Sequence, residues 1–457
     1  MADEAVRAYV EGHRQAFVDR LATAVAQPSI SARNLGVREM AQLLLGWLAE
    51  AGFEARTYET PGQPVIVAQA GPARGTAPRV LIYGHYDVQP PEPLDLWHSP
   101  PFEPTIRDGK MYGRGTGDNK GQHLAHILGV QAWCAVRGDL PIGVTLVLEG
   151  EEESSSPHLD AFVRDHRDLL ACDLAVTSDG PMAPGDVPVI TLGVRGILSF
   201  ELRTEGARFD NHSGNKGNAV PDPTWRLIEV LSALRGPDGR VRLPGFYDKV
   251  RPVGDVERRC LEALPFDPPS VAHTLGLDEA VVAGWDPIAF HRRLTLEPTF
   301  SVNSIGSGQI EQKKTIIPAF ARARCDMRMA ADQDPEEIQD ALQGFLAERF
   351  PDVRYIPHGF MHPSRTRLDH PAVDAVRRAL RDVHGVEPLV QPALGGSLPD
   401  YVWTRTLGVP SLIVPYANSD EANHAPDENM RIDLFLRGIE ATAAMLGELS
   451  AALPAAG

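Results

Sequence analysis

Histidine and carboxylate side chains, which bind divalent metal ions and move protons in hydrolases, recur in this sequence directly after short apolar runs. Each run is rich in β-branched residues, which is typical of a buried strand. Because binding sites collect at the carboxyl ends of strands in open α/β sheets, we expect the side chains that follow these runs to lie together. The residues are His85 and Asp87 after 79–83, the glutamates of 149–153 after 143–148, Asp179 after 174–177, and His424 shortly after 410–415.

Another carboxylate, Asp118, lies in the glycine-rich segment 113–121, just before a predicted helix. The segment does not fit the Gly-x-Gly-x-x-Gly dinucleotide fingerprint, since Asp118 stands where the last glycine belongs. Taken alone, Asp118 is also compatible with a simple helix N-cap. Its place among the strand-end residues favours a metal ligand instead.

Two histidines and three carboxylates without a thiolate form a ligand set that suits zinc, manganese or cobalt. Five ligands exceed the three that a single catalytic zinc usually takes. They suit two ions that share a bridging carboxylate and lie about 3.5–4 Å apart. We therefore expect two divalent ions per chain, zinc in the first place, with manganese or cobalt also possible.

Two further histidines, His123 and His126, have helical spacing that a metal site could use. A histidine pair on a helix is more often part of the ordinary surface or core. We assign both to that structural role.

Strands and helices alternate on both sides of the chain's middle part, which predicts a helix-covered, mainly parallel α/β sheet. Near residue 188 the pattern changes to longer strands with fewer helices. The prediction is an α/β domain made of 1–187 and 364–457, with an inserted α+β domain at 188–363, which the family resemblance described below makes the lid and dimerisation domain of a catalytic domain. The Pro-rich stretch 236–298 has no pattern that assigns its structure.

Composition excludes several partners. With 44 Lys and Arg against 61 Asp and Glu, the formal charge of −17 disfavours binding to nucleic acid. The longest apolar runs fall short of the ~20 residues of a membrane span, so no membrane partner is expected. The four cysteines form no Cys-x-x-Cys motif, and no signal-peptide pattern is present, so we expect a cytoplasmic protein.

The motifs together resemble the aminoacylase/carnosinase family of di-metal peptidases. The resemblance rests on 84–90 (Gly-His-Tyr-Asp-Val-Gln-Pro), 113–121, 149–156, 178–180 and 424–426, which occur in the family's order. It is closest to the branch of carnosinases and cytosolic nonspecific dipeptidases. One departure is the serine at position 155, where the family usually has glycine.

The resemblance implies roles for the candidate residues. Asp118 bridges the two ions, with a cis peptide bond after it in many members. His85 and Asp179 complete the ligands of one ion, while Glu153 and His424 complete those of the other. Aligning Glu149-Gly150 with the family's Glu-Gly makes Glu152 the general base, and Asp87 orients His85.

The resemblance also implies substrate contacts and a homodimer. A lid histidine reaches the active site of the neighbouring subunit, a lid arginine and a glycine-rich loop bind the free carboxylate, and an asparagine contacts the substrate. In this chain they are His212, Arg328, the loop Gly395, Gly396 and Ser397, and Asn303.

These observations predict metal-dependent hydrolysis of dipeptides, or of short peptides with a free C-terminal carboxylate. Glu152 would take the proton of the attacking water and return it to the leaving amine. An N-acyl-amino-acid deacylase or a carboxypeptidase remains an alternative, because the same metal chemistry serves all three. A catalytically inactive binding protein is disfavoured, since every ligand and base position is filled.

Overall fold

The computed structural model describes residues 3–308, 311 and 313–454, which form two units. The first unit comprises Met1–Gly193, Arg365–Pro392 and Val402–Gly457. The second comprises Val194–Ser364 and Ala393–Tyr401.

The main segment of the second unit, Val194–Ser364, differs from the expected range 188–363 for a physical reason. Val194 and Ser364 hydrogen-bond each other, through Val194 N–H to Ser364 Oγ at 3.0 Å and Ser364 N–H to the Val194 carbonyl at 3.1 Å. The main segment of the second unit therefore begins and ends at this pair. The segment Ala393–Tyr401, expected within the catalytic part, belongs to the second unit.

The helices of the described residues alternate with strands through most of the chain. They are α1 (Glu4–Gly12), α2 (Arg14–Ala26), α3 (Val37–Glu50), α4 (Gly121–Arg137), α5 (Leu159–Asp165), α6 (Arg167–Leu170), α7 (Ser213–Lys216), α8 (Pro223–Leu234), α9 (Asp255–Ala263), α10 (Pro268–Leu275), α11 (Glu279–Val282), α12 (Pro287–Thr295), α13 (Pro335–Arg349), α14 (Pro371–His384) and α15 (Ile432–Ala452). None of them is long and apolar enough to cross a membrane.

The strands are short in the first unit and longer in the second. They are β1 (Glu54–Tyr58), β2 (Val65–Ala70), β3 (Arg79–His85), β4 (Thr105–Arg107), β5 (Lys110–Tyr112), β6 (Gly143–Glu149), β7 (Leu174–Thr177), β8 (Val189–Thr191), β9 (Gly196–Glu205), β10 (Asn211–His212), β11 (Thr299–Ser307), β12 (Ile316–Ile317), β13 (Phe320–Met329), β14 (Arg354–Met361), β15 (Leu389–Gln391), β16 (Ser411–Ile413) and β17 (Asn429–Arg431).

The first unit is built on an eight-stranded sheet in the order β1-β2-β6-β3-β7-β16-β8-β15. The central strands β6, β3, β7 and β16 run parallel to one another. Strands β3, β6 and β7 are buried along their whole length, as their largely apolar sequences require, and α4, α14 and α15 contribute to the core that covers the sheet. The predicted helix-covered, mainly parallel sheet is confirmed.

The second unit is an antiparallel four-stranded sheet in the order β11-β13-β9-β14, with α8 and α13 packed on it. Alternate residues in the first half of β13, such as Ala321 and Ala323, are buried while their neighbours face outward. Strand β11 lies at the sheet edge and is exposed over most of its length.

The stretch 236–298, which the pattern left unassigned, contains α9 to α12. Two of these helices begin with the same local signal. Asp267 and Asp286 each accept a backbone N–H at the helix start, and a proline follows as the first helical residue. These caps mark where α10 and α12 begin.

Candidate metal centre

The candidate ligands lie at the carboxyl edge of the parallel part of the sheet. His85 is the last residue of β3, and Asp179 stands two residues after β7 ends. Because β3 pairs with both β6 and β7, the loops after these strands meet at one point. Gly84 permits the close approach of α4, since a Cβ there would lie 2.7 Å from the Cβ of His123.

Asp118 lies at the junction of two groups of potential ligands. In one group, His85 Nε2 is 3.1 Å from Asp118 Oδ1 and 3.8 Å from Asp179 Oδ2. In the other, His424 Nε2 is 3.0 Å from Asp118 Oδ2 and 3.1 Å from Glu153 Oε2. Each Asp118 oxygen thus faces a different group, which is the geometry of a bridging carboxylate. The Asp118–Asn119 peptide bond is cis, as the resemblance implied.

The chemistry of the donors fits two divalent cations. His85 Nε2 is buried and makes no hydrogen bond although Asp118 Oδ1 lies 3.1 Å away, so its lone pair is available to a metal ion. Hydrogen bonding to Asp118 and Glu153 raises the pKa of His424 to about 10, because the carboxylates create a strongly negative field. His424 also adopts a φ of 57°, a left-handed conformation that is uncommon for non-glycine residues.

Asp87 is buried and contacts residues of both ligand groups, His85 in one and Glu153 in the other. Its carboxylate lies 3.4 Å from His85 Nδ1, and its backbone carbonyl lies 3.1 Å from the same nitrogen. The two carboxylate oxygens also accept the backbone N–H groups of Glu152 and Glu153, each at 3.1 Å. A single side chain therefore orients a histidine and fixes the loop after β6.

The three consecutive glutamates have different surroundings. Glu151 is turned away from the ligand groups, and its carboxylate lies 2.7 Å from His158 Nδ1. Glu153 belongs to the ligand group of His424. The carboxylate of Glu152 accepts no hydrogen bond from any other described residue. Burial raises the pKa of Glu152 well above its ordinary value, and neighbouring carboxylates, including Asp179, add to this.

Two amide side chains position individual ligands, and neither was singled out from the sequence. Gln89 Nε2 donates to the Glu153 carboxylate at 2.9 Å and to its backbone carbonyl at 3.2 Å. Asn119 Nδ2 donates to the Asp179 carboxylate at 3.2 Å and to the Ser178 carbonyl at 2.6 Å. Such contacts fix the rotamers of metal-ligating carboxylates.

Glu428 holds the glycine-rich segment and was also missed from the sequence. Its fully buried carboxylate accepts the backbone N–H of Gly115 at 3.0 Å, of Gly117 at 3.1 Å and of Asp118 at 3.0 Å. Arg114 Nη1 donates to the same carboxylate at 2.7 Å. Its position four residues after His424 was the available signal, but spacing alone does not distinguish it from a surface glutamate.

The histidine pair of α4 takes the structural role that we assigned. His126 lies between Ser178 Oγ at 2.7 Å and Thr442 Oγ1 at 2.9 Å. Burial lowers the pKa of both His123 and His126 to about 3, so both are neutral. Neither belongs to a potential ligand group among the described residues.

The remaining candidates lie in the second unit. Arg328 Nη1 donates to Ser397 Oγ at 2.7 Å, which brings the arginine and the loop of Gly395 and Gly396 together. His212 is exposed at the end of β10, and its Nδ1 accepts the N–H of Gly214 at 3.1 Å. Asn303 is exposed on β11, at the irregularity between Val302 and Ser304.

Comparison with known proteins gives consistent matches over most of the chain. The model of peptidase family M20/M25/M40 matches residues 81–448. The Cys-Gly metallodipeptidase dug1 of Schizosaccharomyces pombe is 28% identical over 472 residues, covering 97% of this chain and 98% of that protein. The Beta-Ala-His dipeptidase of Homo sapiens is 29% identical over 404 residues, covering 85% of this chain and 78% of that protein.

Solved structures match over nearly the full length as well. The M20 family metallo-carboxypeptidase Sso-CP2 from Sulfolobus solfataricus superposes with a TM-score of 0.88 at 30% identity, covering 96% of this chain and 99% of that one. The di-peptidase Dug1p from Saccharomyces cerevisiae gives a TM-score of 0.83 at 26% identity, covering 98% of both chains.

Proposed function

The chain belongs to peptidase family M20/M25/M40, and on this basis we propose that it is a metal-dependent dipeptidase that cleaves the amide bond next to a free carboxylate. The observation that carries the proposal is the position of Asp118. Its two carboxylate oxygens face the two separate ligand groups, and the unpaired Glu152 carboxylate lies beside them. This combination supports hydrolysis by an activated water.

In the first unit, separate residues would bind the two metal ions and transfer the proton. His85, Asp118 and Asp179 would hold one ion, and Asp118, Glu153 and His424 would hold the other. Bound divalent ions would polarise the scissile carbonyl and make a water molecule acidic, and zinc fits this donor set first, followed by manganese or cobalt. Glu152 takes the proton of the attacking water and delivers it to the amine that leaves.

Recognition of the substrate carboxylate is assigned to the second unit. Arg328 offers a guanidinium that can bind a carboxylate through two hydrogen bonds. Ser397 holds this guanidinium in place. The loop of Gly395 and Gly396 is assigned to the same carboxylate. We propose Asn303 as an additional residue that contacts the substrate.

Carboxypeptidase activity and N-acyl-amino-acid deacylase activity are the alternatives to the proposed dipeptidase activity. The relatives include dipeptidases and a carboxypeptidase, and deacylation of N-acyl amino acids would use the same metal chemistry. A panel of dipeptides, N-acetyl amino acids and longer peptides, assayed with zinc and with manganese, separates them. Preferential cleavage of dipeptides supports the proposal, and cleavage of only the acetylated or the longer substrates replaces it.

We propose a homodimer as the active form, with His212 serving the active site of the neighbouring subunit. The support is the surface of the second unit. Among the described residues, no strand pairs with the outer edge of β11, where Val302 and Ile305 are exposed, and α8 exposes Trp225 and Ile228. Exposed apolar side chains on an unpaired strand and the neighbouring helix are typical of a surface that pairs with another chain.

We place the protein in the cytoplasm. Cys134, Cys172, Cys260 and Cys325 are all free thiols, which suits a reducing compartment. Fractionation of the source cells tests this assignment.

A further inference from the structure

Arg195 connects three segments of the second unit around the carboxylate-binding loop. It stands immediately before β9, and its Nε donates to the Gly395 carbonyl at 2.8 Å. Its Nη1 donates to the Glu297 carbonyl at 3.0 Å, just beyond the end of α12. Its backbone N–H also donates to the Leu394 carbonyl at 3.2 Å. The loop is therefore fixed to Arg195 by both backbone and side chain.

Ser397 joins Arg195 to the arginine already assigned to the substrate. Its hydroxyl donates to the Arg195 carbonyl at 2.6 Å and accepts from Arg328 Nη1 at 2.7 Å. The loop also fits closely against α12, because a Cβ at Gly395 would lie 2.6 Å from the Leu294 carbonyl oxygen. A small shift of Arg195 would thus move Ser397 and Arg328 together.

The charges around this loop are unbalanced. Arg328 has Asp326 at 3.5 Å, whereas no carboxylate of the described residues lies within ion-pair distance of Arg195. Burial, followed by the positive charge of Arg328, lowers the pKa of Arg195 to about 10. Two neighbouring guanidiniums with one carboxylate leave an uncompensated positive charge, which an anion would stabilise.

One nitrogen of Arg195 is not used by the protein. Nη2 makes no hydrogen bond with a described residue, and it lies 3.4 Å from the position that a Cβ of Gly395 would occupy. It therefore lies beside the loop. On the side of Gly395 that a Cβ would occupy, the Leu294 carbonyl oxygen is closer, at 2.6 Å, so a substrate carboxylate would have to reach Nη2 from another side of the loop.

We propose that Arg195 is a second cationic residue of the substrate-carboxylate site, acting through its free Nη2 and through its hold on the loop of Gly395 and Ser397. The inference rests on the proposed function and adds a specificity determinant to it. The chemistry recognised is a free α-carboxylate. The enzyme should then discriminate strongly between a dipeptide and the same dipeptide with a C-terminal carboxamide.

The test compares Arg195→Met and Arg195→Lys with the wild type on a dipeptide acid and its amide. We expect Arg195→Met to lower kcat/KM for the acid by about tenfold, mainly through KM, and to leave the amide within about threefold. Arg195→Lys retains the charge and should recover part of the loss. Arg226→Met is the matched control, since Arg226 pairs with Asp352 elsewhere in the second unit and should not alter the acid-to-amide ratio.

Equal losses on the acid and the amide would overturn the proposal, because a purely structural brace affects both substrates alike. Unchanged kinetics on both would also overturn it. Failure of the proposed function is distinguishable, since the wild type itself would then cleave no dipeptide. In that case, calorimetric binding of the acid and the amide to the wild type and to Arg195→Met decides the question: loss of selectivity for the acid supports the role, and retained selectivity refutes it.

Discussion

The Asp87 carboxylate accepts a hydrogen bond from the backbone N–H of Glu152 at 3.1 Å. The same side chain lies 3.4 Å from Nδ1 of His85. A metal ligand and the proposed general base are therefore positioned by one buried carboxylate. The sequence predicted only the contact with the histidine, because the contact with the loop is made to backbone atoms, which no motif displays.

Replacing Asp87 by Asn should impair both the binding of metal through His85 and the positioning of the general base Glu152. The amide offers one acceptor oxygen instead of two, so one of the two loop N–H groups loses its partner. We expect metal affinity to fall by about 10- to 100-fold and kcat to fall as well, even at saturating metal. Metal titration and steady-state kinetics measure the two effects. Asp139→Asn, at the surface, is the control, and normal kcat in metal-saturated Asp87→Asn would refute the role in positioning Glu152.

Glu152→Gln should abolish turnover while metal content stays near the wild-type level. The substitution keeps the size of the side chain but removes the basic oxygen, and loss of a general base costs about 10²- to 10⁴-fold in rate. Glu151→Gln is a close control, because Glu151 is the adjacent residue and pairs with His158 instead. A rate in Glu152→Gln similar to that of Glu151→Gln would exclude Glu152 as the base.

Glu428→Gln should destabilise the protein and weaken metal binding. The neutral amide leaves the buried Arg114 without its counter-charge and can accept at only one oxygen from the N–H groups of Gly115, Gly117 and Asp118. Removing one partner of a buried ion pair costs about 3–5 kcal/mol. Urea unfolding of the metal-free proteins measures the free energy of unfolding. A second variant, Arg114→Met with Glu428→Gln, should recover part of the loss, and an unchanged free energy in the single variant would contradict this role.

Mixing two inactive variants tests whether His212 acts across the dimer. If His212 serves the neighbouring subunit, a heterodimer of Glu152→Gln and His212→Ala contains one complete active site. Random exchange of subunits would then restore about a quarter of wild-type activity. Light scattering establishes the dimer, and dimers that exchange subunits but remain inactive would show that His212 acts within its own chain.

The sequence predicted those parts of the fold and the candidate site that depend on local patterns. Apolar β-branched runs located β3, β6 and β7, and the polar residues after them are the side chains that the structure brings together. The stretch 236–298 could not be assigned, because its helices α9 to α12 are only 4 to 9 residues long, which is too short for a periodic apolar pattern to be read with certainty.

Contacts between segments that are far apart in the chain could not be predicted from the sequence. Glu428 acts on a segment more than three hundred residues earlier in the chain, with Asp118 N–H as one of its donors. Arg195 and Gly395 lie two hundred residues apart, and their hydrogen bond joins the short segment Ala393–Tyr401 to the second unit. Only the folded chain brings such pairs together.

The assignment of the protein as a two-ion hydrolase is tested most directly by titrating the metal-free protein with zinc or manganese while following hydrolysis of a dipeptide. Because Asp118 serves both ligand groups, we predict that activity is absent without metal and rises to a plateau at two ions per chain. Full activity with a single bound ion, or no hydrolysis with both ions bound, would contradict the assignment.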